Sequence, residues 1–160
     1  MIDLASYQDP LTIQRVLYEA QTIAIVGLSK KELRASYFVG YYLKRHGYDV
    51  IPVNPRETKI LDETSYPSLS DVPEPVDIVD VFRAPEALPG IAREAVAIGA
   101  SALWCQFGVI NEEAARIATD GGLAVIMDRC LKVEHARYVG RMHWLGFNTQ
   151  RITAVRGGLQ

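Results

Sequence analysis

An α/β fold built on a doubly wound, five-stranded parallel sheet is predicted by three observations. Short apolar runs rich in β-branched residues recur along the chain as "TIAIVG", "YDVIPV", "VDIVDVF", "SALWCQ" and "LAVIM". Segments with helical periodicity separate most of these runs, and each run ends in small or polar residues. Strand and helix alternating in this way require right-handed crossovers, which lay helices on both faces of a parallel sheet. A strand order of 3-2-1-4-5 is expected for such a Rossmann-like sheet. With 160 residues and 49% apolar residues, the chain is sized for one domain spanning residues 1–160.

The elements follow in order. In "SYQDPLTIQRVLYEAQ", Ile13, Val16, Leu17 and Ala20 share one helical face, so residues 1–21 contain a leading helix that packs on the domain. "TIAIVG" is suited to a central strand buried on both faces and stops at Gly27. Ser36 reads as the cap of a helix with Phe38, Val39, Tyr42 and Leu43 as its apolar stripe. Lys44, Arg45 and His46 complement its last turn, and Gly47 ends it. Between Asn54 and Pro75 the prolines at 55, 67, 73 and 75 and the lack of periodicity predict a mostly irregular connection. A helix through "PGIAREAVAI" stops at Gly99, and another opens on Asn111 with Glu112 and Glu113 in its first turn and Gly121 beyond its end.

Ligands of such folds bind outside the carboxyl ends of the strands, where the strand order reverses. The five tips read "GLSKKELRAS", "NPRE", "RAPE", "QFG" and "DRC". A dinucleotide site of the usual kind is disfavoured twice over. Gly27 lacks its companion glycines, and the second strand ends in Asn54 and Pro55 rather than an acid for ribose hydroxyls. Asp49 begins that strand and so lies at its wrong end. No GxxxxGK[ST] occurs, which removes the support for a P-loop. The first turn nevertheless joins backbone amides at Gly27 to Ser29, the hydroxyls of Ser29 and Ser36, and the cations Lys30, Lys31 and Arg34 near a helix start. That combination suits a pyrophosphate, the plain alternative being a solvated loop with its charges in water.

The blocks "VGLSKKELRASY", "GYDVIPVNP", "YPSLSDVPEPVDIVDVFR", "WCQFGVINEEAA" and "MDRCLKVEH", in this order from about Thr22 to His135, resemble the small single-domain CoA-binding protein family, related in fold to the CoA-binding domain of succinyl-CoA synthetase. The resemblance implies that coenzyme A, or an acyl-CoA, is held by its nucleotide end. By position, Gly27, Leu28 and Ser29 would approach the pyrophosphate, with Lys30, Arg34 and Ser36 on its oxygens. Val53, Asn54 and Pro55 would form an uncharged adenosine wall, and Arg56 or Lys59 would reach the ribose 3′-phosphate. Phe82 and Arg83 match the third tip, and Gln106, Phe107 and Gly108 the fourth, along the pantetheine path; Phe107 reads equally as a core residue. This chain has "RASY" where the family pattern more often has "RPSY".

Catalytic candidates find simpler roles. His46 complements a helix C-terminus, and His135 adjoins Glu134 at a spacing that does not face side chains toward each other. Asp80 interrupts an apolar strand, which fits either a base of raised pKa or a carboxylate satisfied by nearby donors. Cys105 and Cys130 lie at strand ends, as buried thiols or as partners for the CoA thiol, and their spacing suits neither zinc nor a redox pair. No nucleophile with a base and an orienting group emerges, so binding is favoured over catalysis. A component of a CoA ligase or transferase that needs a partner chain and an NAD(H)-binding redox sensor stand as alternatives. The net charge of -2 gives no reason to expect nucleic acid, and the absence of a signal or spanning stretch points to a cytoplasmic protein with no membrane partner. Residues 141–160 are unassigned; Trp144 and Phe147 there are candidates for a homo-oligomer or partner interface.

Overall fold

The computed structural model describes residues 2–140. A 3₁₀ turn, Leu4–Tyr7, leads into α1, Pro10–Glu19, which Asp9 caps by accepting the Thr12 N–H at 3.0 Å. β1 is Thr22–Val26, α2 Ala35–Arg45 and β2 Asp49–Val53. Within the connection expected to be irregular lie a small hairpin, β3 Lys59–Ile60 and β4 Glu63–Thr64, and a 3₁₀ turn, Leu69–Asp71. β5 Ile78–Val81, α3 Leu88–Ala97, β6 Ala102–Cys105, α4 Glu112–Asp120, β7 Ala124–Ile126 and α5 Leu131–His135 follow, before a π-helical turn at Ala136–Gly140. Asn111 caps α4 through the Ala114 N–H, and α3 stops before Gly99 in the left-handed region at φ +75°.

The main sheet is all-parallel, in the order β2-β1-β5-β6-β7. Counted along the chain this is 2-1-3-4-5, so the expected 3-2-1-4-5 is corrected. The connection after β2 explains the difference. Its 3₁₀ turn buries Leu69 with the α3 side of the core, opposite α2, and the chain therefore crosses β1 and lays β5 on β1's far side. On its way it shields the outer edge of β2, where the Asn54 N–H donates to the Tyr66 carbonyl at 2.9 Å and the Tyr66 N–H donates to the Pro52 carbonyl at 3.1 Å.

Both faces of the sheet are covered. Ala24, Val26, Val79, Val81, Leu103 and Cys105 pack with α3 and α4, whereas Ile23, Ile25, Ile78, Trp104 and Ile126 pack with α1, α2 and α5. Strand alternation sends successive residues to opposite layers, which is why the central runs are apolar throughout. Fully buried leucines such as Leu17, Leu28, Leu43 and Leu103 each contribute about 1.5–3 kcal/mol of burial energy. On α2 the buried positions are Ser36, Val39, Gly40 and Leu43. Phe38, expected in the stripe, is instead 53% exposed, because the helix is turned to press Gly40 against Leu28 and Leu61. No helix among the described residues is long and apolar enough to cross a membrane.

Candidate functional site

Because the chain leaves β1 toward the α2 face and returns to β5 from the opposite face, the strand order reverses between these two neighbours. Gly27 stands at that point. Its N–H donates to the Val53 carbonyl at 2.9 Å, and the Phe82 N–H donates to the Val26 carbonyl at 2.8 Å, so three strand tips meet around it. Its φ is +90°, and a Cβ would lie 2.7 Å from the Phe82 carbonyl oxygen. Only glycine satisfies both conditions without displacing the neighbouring tip.

The first turn is ordered by its serines. The Ser29 N–H donates to Ser36 Oγ at 3.0 Å, and Ser29 Oγ accepts the Lys31 N–H at 3.0 Å. Ser36 therefore does not cap α2 as expected: Arg34 occupies that position with no side-chain cap bond, and Ser36, inside the helix, tethers the turn instead. Each hydroxyl still has its own proton to donate.

Above this turn lies a cleft of about 390 Å³. Gly27, Ser29 and Ser36 line it together with Lys30, Lys31 and Arg34, and Asn54, Arg56, Glu57 and Phe82 face them from the neighbouring tips. A second hollow of about 320 Å³ shares Gly27, Asn54 and Arg56 and adds Val53, Pro55 and Arg83. Among the described residues five cations thus border the two hollows against a single carboxylate, beside the amino terminus of an eleven-residue helix, and that field favours an anion. A cleft of about 480 Å³ at the amino edge of β1 and β2 has the opposite character, with Asp49, Glu63 and Glu74 along it and Lys44 already paired to Glu63 at 2.9 Å.

Asn54 joins the walls. Its Nδ2 donates to the Leu28 carbonyl at 3.0 Å, and its Oδ1 accepts the Arg56 N–H at 2.8 Å, which turns the chain so that Arg56 and Glu57 enter the cleft. Glu57 reaches Lys30 across the mouth, 3.4 Å from Oε1 to Nζ. The sequence reading weighs only Asn54 and Pro55, where the strand ends, and assigns no role to Glu57, the last residue of "NPRE"; the signal was the Asx turn that Asn54 makes, which brings in a residue three positions later.

Most of the residues expected to bind ligand gather here, Arg56 among them, although Leu28 does so through its backbone, its side chain being sealed in the core. Gln106, Phe107 and Gly108 are elsewhere on the edge. Gln106 is buried and donates to Asp80, the Gly108 N–H donates to Asp128 at 2.8 Å, and Phe107 is 62% exposed, which excludes its alternative role in the core. Lys59 is exposed on the hairpin and lines neither hollow.

Burial governs the other titratable groups. It pushes the Asp80 carboxyl up to about 8, against hydrogen bonds from Gln106 and the Val81 backbone. Burial likewise raises the Cys105 and Cys130 thiols and lifts the Tyr42 hydroxyl to about 12. Cys105 is part of the core and Cys130 is half-buried beside it. His135 is buried with its Nδ1 2.9 Å from the Tyr42 hydroxyl, while Glu134 pairs with Arg137 at 3.2 Å, so the two adjacent residues serve separate contacts. His46 bonds the Tyr42 carbonyl at 2.8 Å at the end of α2. Among the described residues no group of three or more His, Cys, Asp or Glu could hold a metal ion. His143, Trp144 and Phe147 lie outside the described residues.

Comparison with known proteins places this architecture. The chain is 42% identical over 124 residues to the uncharacterised protein YneT of Bacillus subtilis, covering 78% of this chain and 92% of that protein. A solved structure of a hypothetical protein from Pyrococcus horikoshii superposes with a TM-score of 0.82 at 34% identity, covering 88% of this chain and 99% of that one. Half of the chain, 82 residues, is 29% identical to an ADP-forming acetate–CoA ligase of Archaeoglobus fulgidus, of which it spans 12%. Residues 21–136 match the family described as the CoA binding domain. The match covers every strand of the main sheet and the whole cleft, and the chain belongs to the CoA binding domain family.

Proposed function

We propose that the protein binds coenzyme A or an acyl-CoA at the carboxyl edge of its sheet and serves as a carrier, sensor or subunit without catalytic machinery of its own. The observation that carries this reading is the cationic cleft at the reversal between β1 and β5, with Gly27 admitting a close backbone approach. In it the pyrophosphate lies over the Ser29 turn, with Lys30, Lys31 and Arg34 supplying charge-assisted contacts. The adenosine lies toward Val53, Asn54 and Pro55, and Arg56 meets the 3′-phosphate. The pantetheine leaves past Phe82 and Arg83, whereas Gln106, Phe107 and Gly108 do not border the cleft.

Calorimetric titration of ligand-stripped protein with CoA, dephospho-CoA and NAD at one salt concentration tests this. The reading predicts selective CoA binding that weakens without the 3′-phosphate, and a further loss of about tenfold to hundredfold in Arg34→Ala. NAD heat without CoA heat would support a redox sensor instead. Similarity to a stretch of the acetate–CoA ligase favours a second reading, in which this chain is the CoA-holding part of an assembly whose chemistry resides on a partner chain. Added CoA that leaves the protein free of partners in cell extract would count against that reading.

A further inference from the structure

Glu57 is the one carboxylate that borders the cleft among the described residues, and an acid in an anion site needs a reason. Its side chain is 22% exposed against 63% for Lys30, so the carboxylate is the inner partner and the lysine reaches in from solvent. Once a pyrophosphate engages Lys30, Glu57 loses that partner, and a partly buried carboxylate without a donor is costly. The group beside a nucleotide's pyrophosphate is its ribose. Arg56 and Glu57 are consecutive, opposite in charge, and both face the cleft from the turn that Asn54 fixes. Such a pair matches the vicinal positions of a ribose that carries a phosphate on one oxygen and a free hydroxyl on the next. In CoA the 3′ oxygen is esterified, which leaves the 2′-hydroxyl as the donor.

Resting on the nucleotide reading of the cleft, we propose that Glu57 is a specificity-determining residue that accepts a hydrogen bond from the ribose 2′-hydroxyl, so that the cleft prefers ribonucleotides to 2′-deoxyribonucleotides. The test uses ADP and 2′-deoxy-ADP as probes, with CoA as reference, on the full chain. The unmodified protein binds ADP about five- to tenfold more tightly than 2′-deoxy-ADP, the size of one partly exposed charge-assisted hydrogen bond. In Glu57→Ala the ratio falls to near one, while Lys30→Met weakens both nucleotides and leaves the ratio standing. Equal affinity of the unmodified protein for the two probes, or a ratio that survives in Glu57→Ala, overturns the assignment and leaves the cleft reading intact. Failure of CoA and both nucleotides to bind overturns the cleft reading itself.

Discussion

Replacing Gly27 with alanine tests the geometry on which the cleft depends. The substitution meets two obstacles. The backbone is at φ +90°, where an L side chain costs about 1–3 kcal/mol. The new Cβ would also stand 2.7 Å from the Phe82 carbonyl oxygen and 3.1 Å from Arg83 Cδ. Arg83 can swing away, but the Phe82 residue is held to the tip of β1 by its N–H bond to the Val26 carbonyl at 2.8 Å, so relief requires parting the tips of β1 and β5. Adding about 1 kcal/mol or more for that overpacking, Gly27→Ala is expected to lose about 2–4 kcal/mol in urea unfolding. CoA affinity should fall with it, because the new methyl group stands where the backbone must be approached closely. A loss below about 1 kcal/mol with unchanged CoA binding would refute the claim that this glycine is required by both conformation and contact.

Three other perturbations have defined outcomes. Asn54→Asp replaces the amide that donates to the Leu28 carbonyl with a carboxylate oxygen facing it, so stability should fall by about 1–3 kcal/mol and CoA affinity should fall too, both read by calorimetry. Asp80 titrates at about 8 when folded and 3.8 when free, so between those values the unfolded chain has lost a proton that the native state retains, and stability declines as pH rises through this window. Asp80→Asn keeps an acceptor for Gln106, and its urea midpoint should be flatter across that range and higher than the unmodified protein's above pH 8. With both thiols raised by burial, a thiol reagent at neutral pH should modify Cys130 slowly and Cys105 only on unfolding; rapid labelling of Cys105 in the native protein would contradict its core position.

Much of this architecture was legible because local and global signals coincide. The β-branched runs became the five parallel strands, Asn111 marks a helix start through its side-chain cap, and Gly99 marks a helix end through its left-handed backbone. Strand order was not legible, since alternation dictates parallel pairing and handedness but not the face over which the proline-rich stretch after β2 travels; Leu69 decides that by its burial against α3. Ser36 misled for a related reason. A serine near a helix start ordinarily caps it, yet here tertiary contact gives its oxygen to the Ser29 N–H. Glu57 was hidden by sequence distance from the strand end, and Gln106 by alternation, which turns its side chain toward Asp80 rather than toward the cleft.

The central claim, that the nucleotide end of CoA occupies the reversal between β1 and β5, is tested most directly by amide NMR spectra of the labelled protein during titration with CoA. The account predicts that the largest shifts fall on Gly27, Ser29, Lys31 and Arg56, with little change at Gly47 to Val50 on the opposite edge. Shifts concentrated at that acidic opposite edge, or saturating binding that leaves the Gly27 and Ser29 amides unmoved, would contradict it.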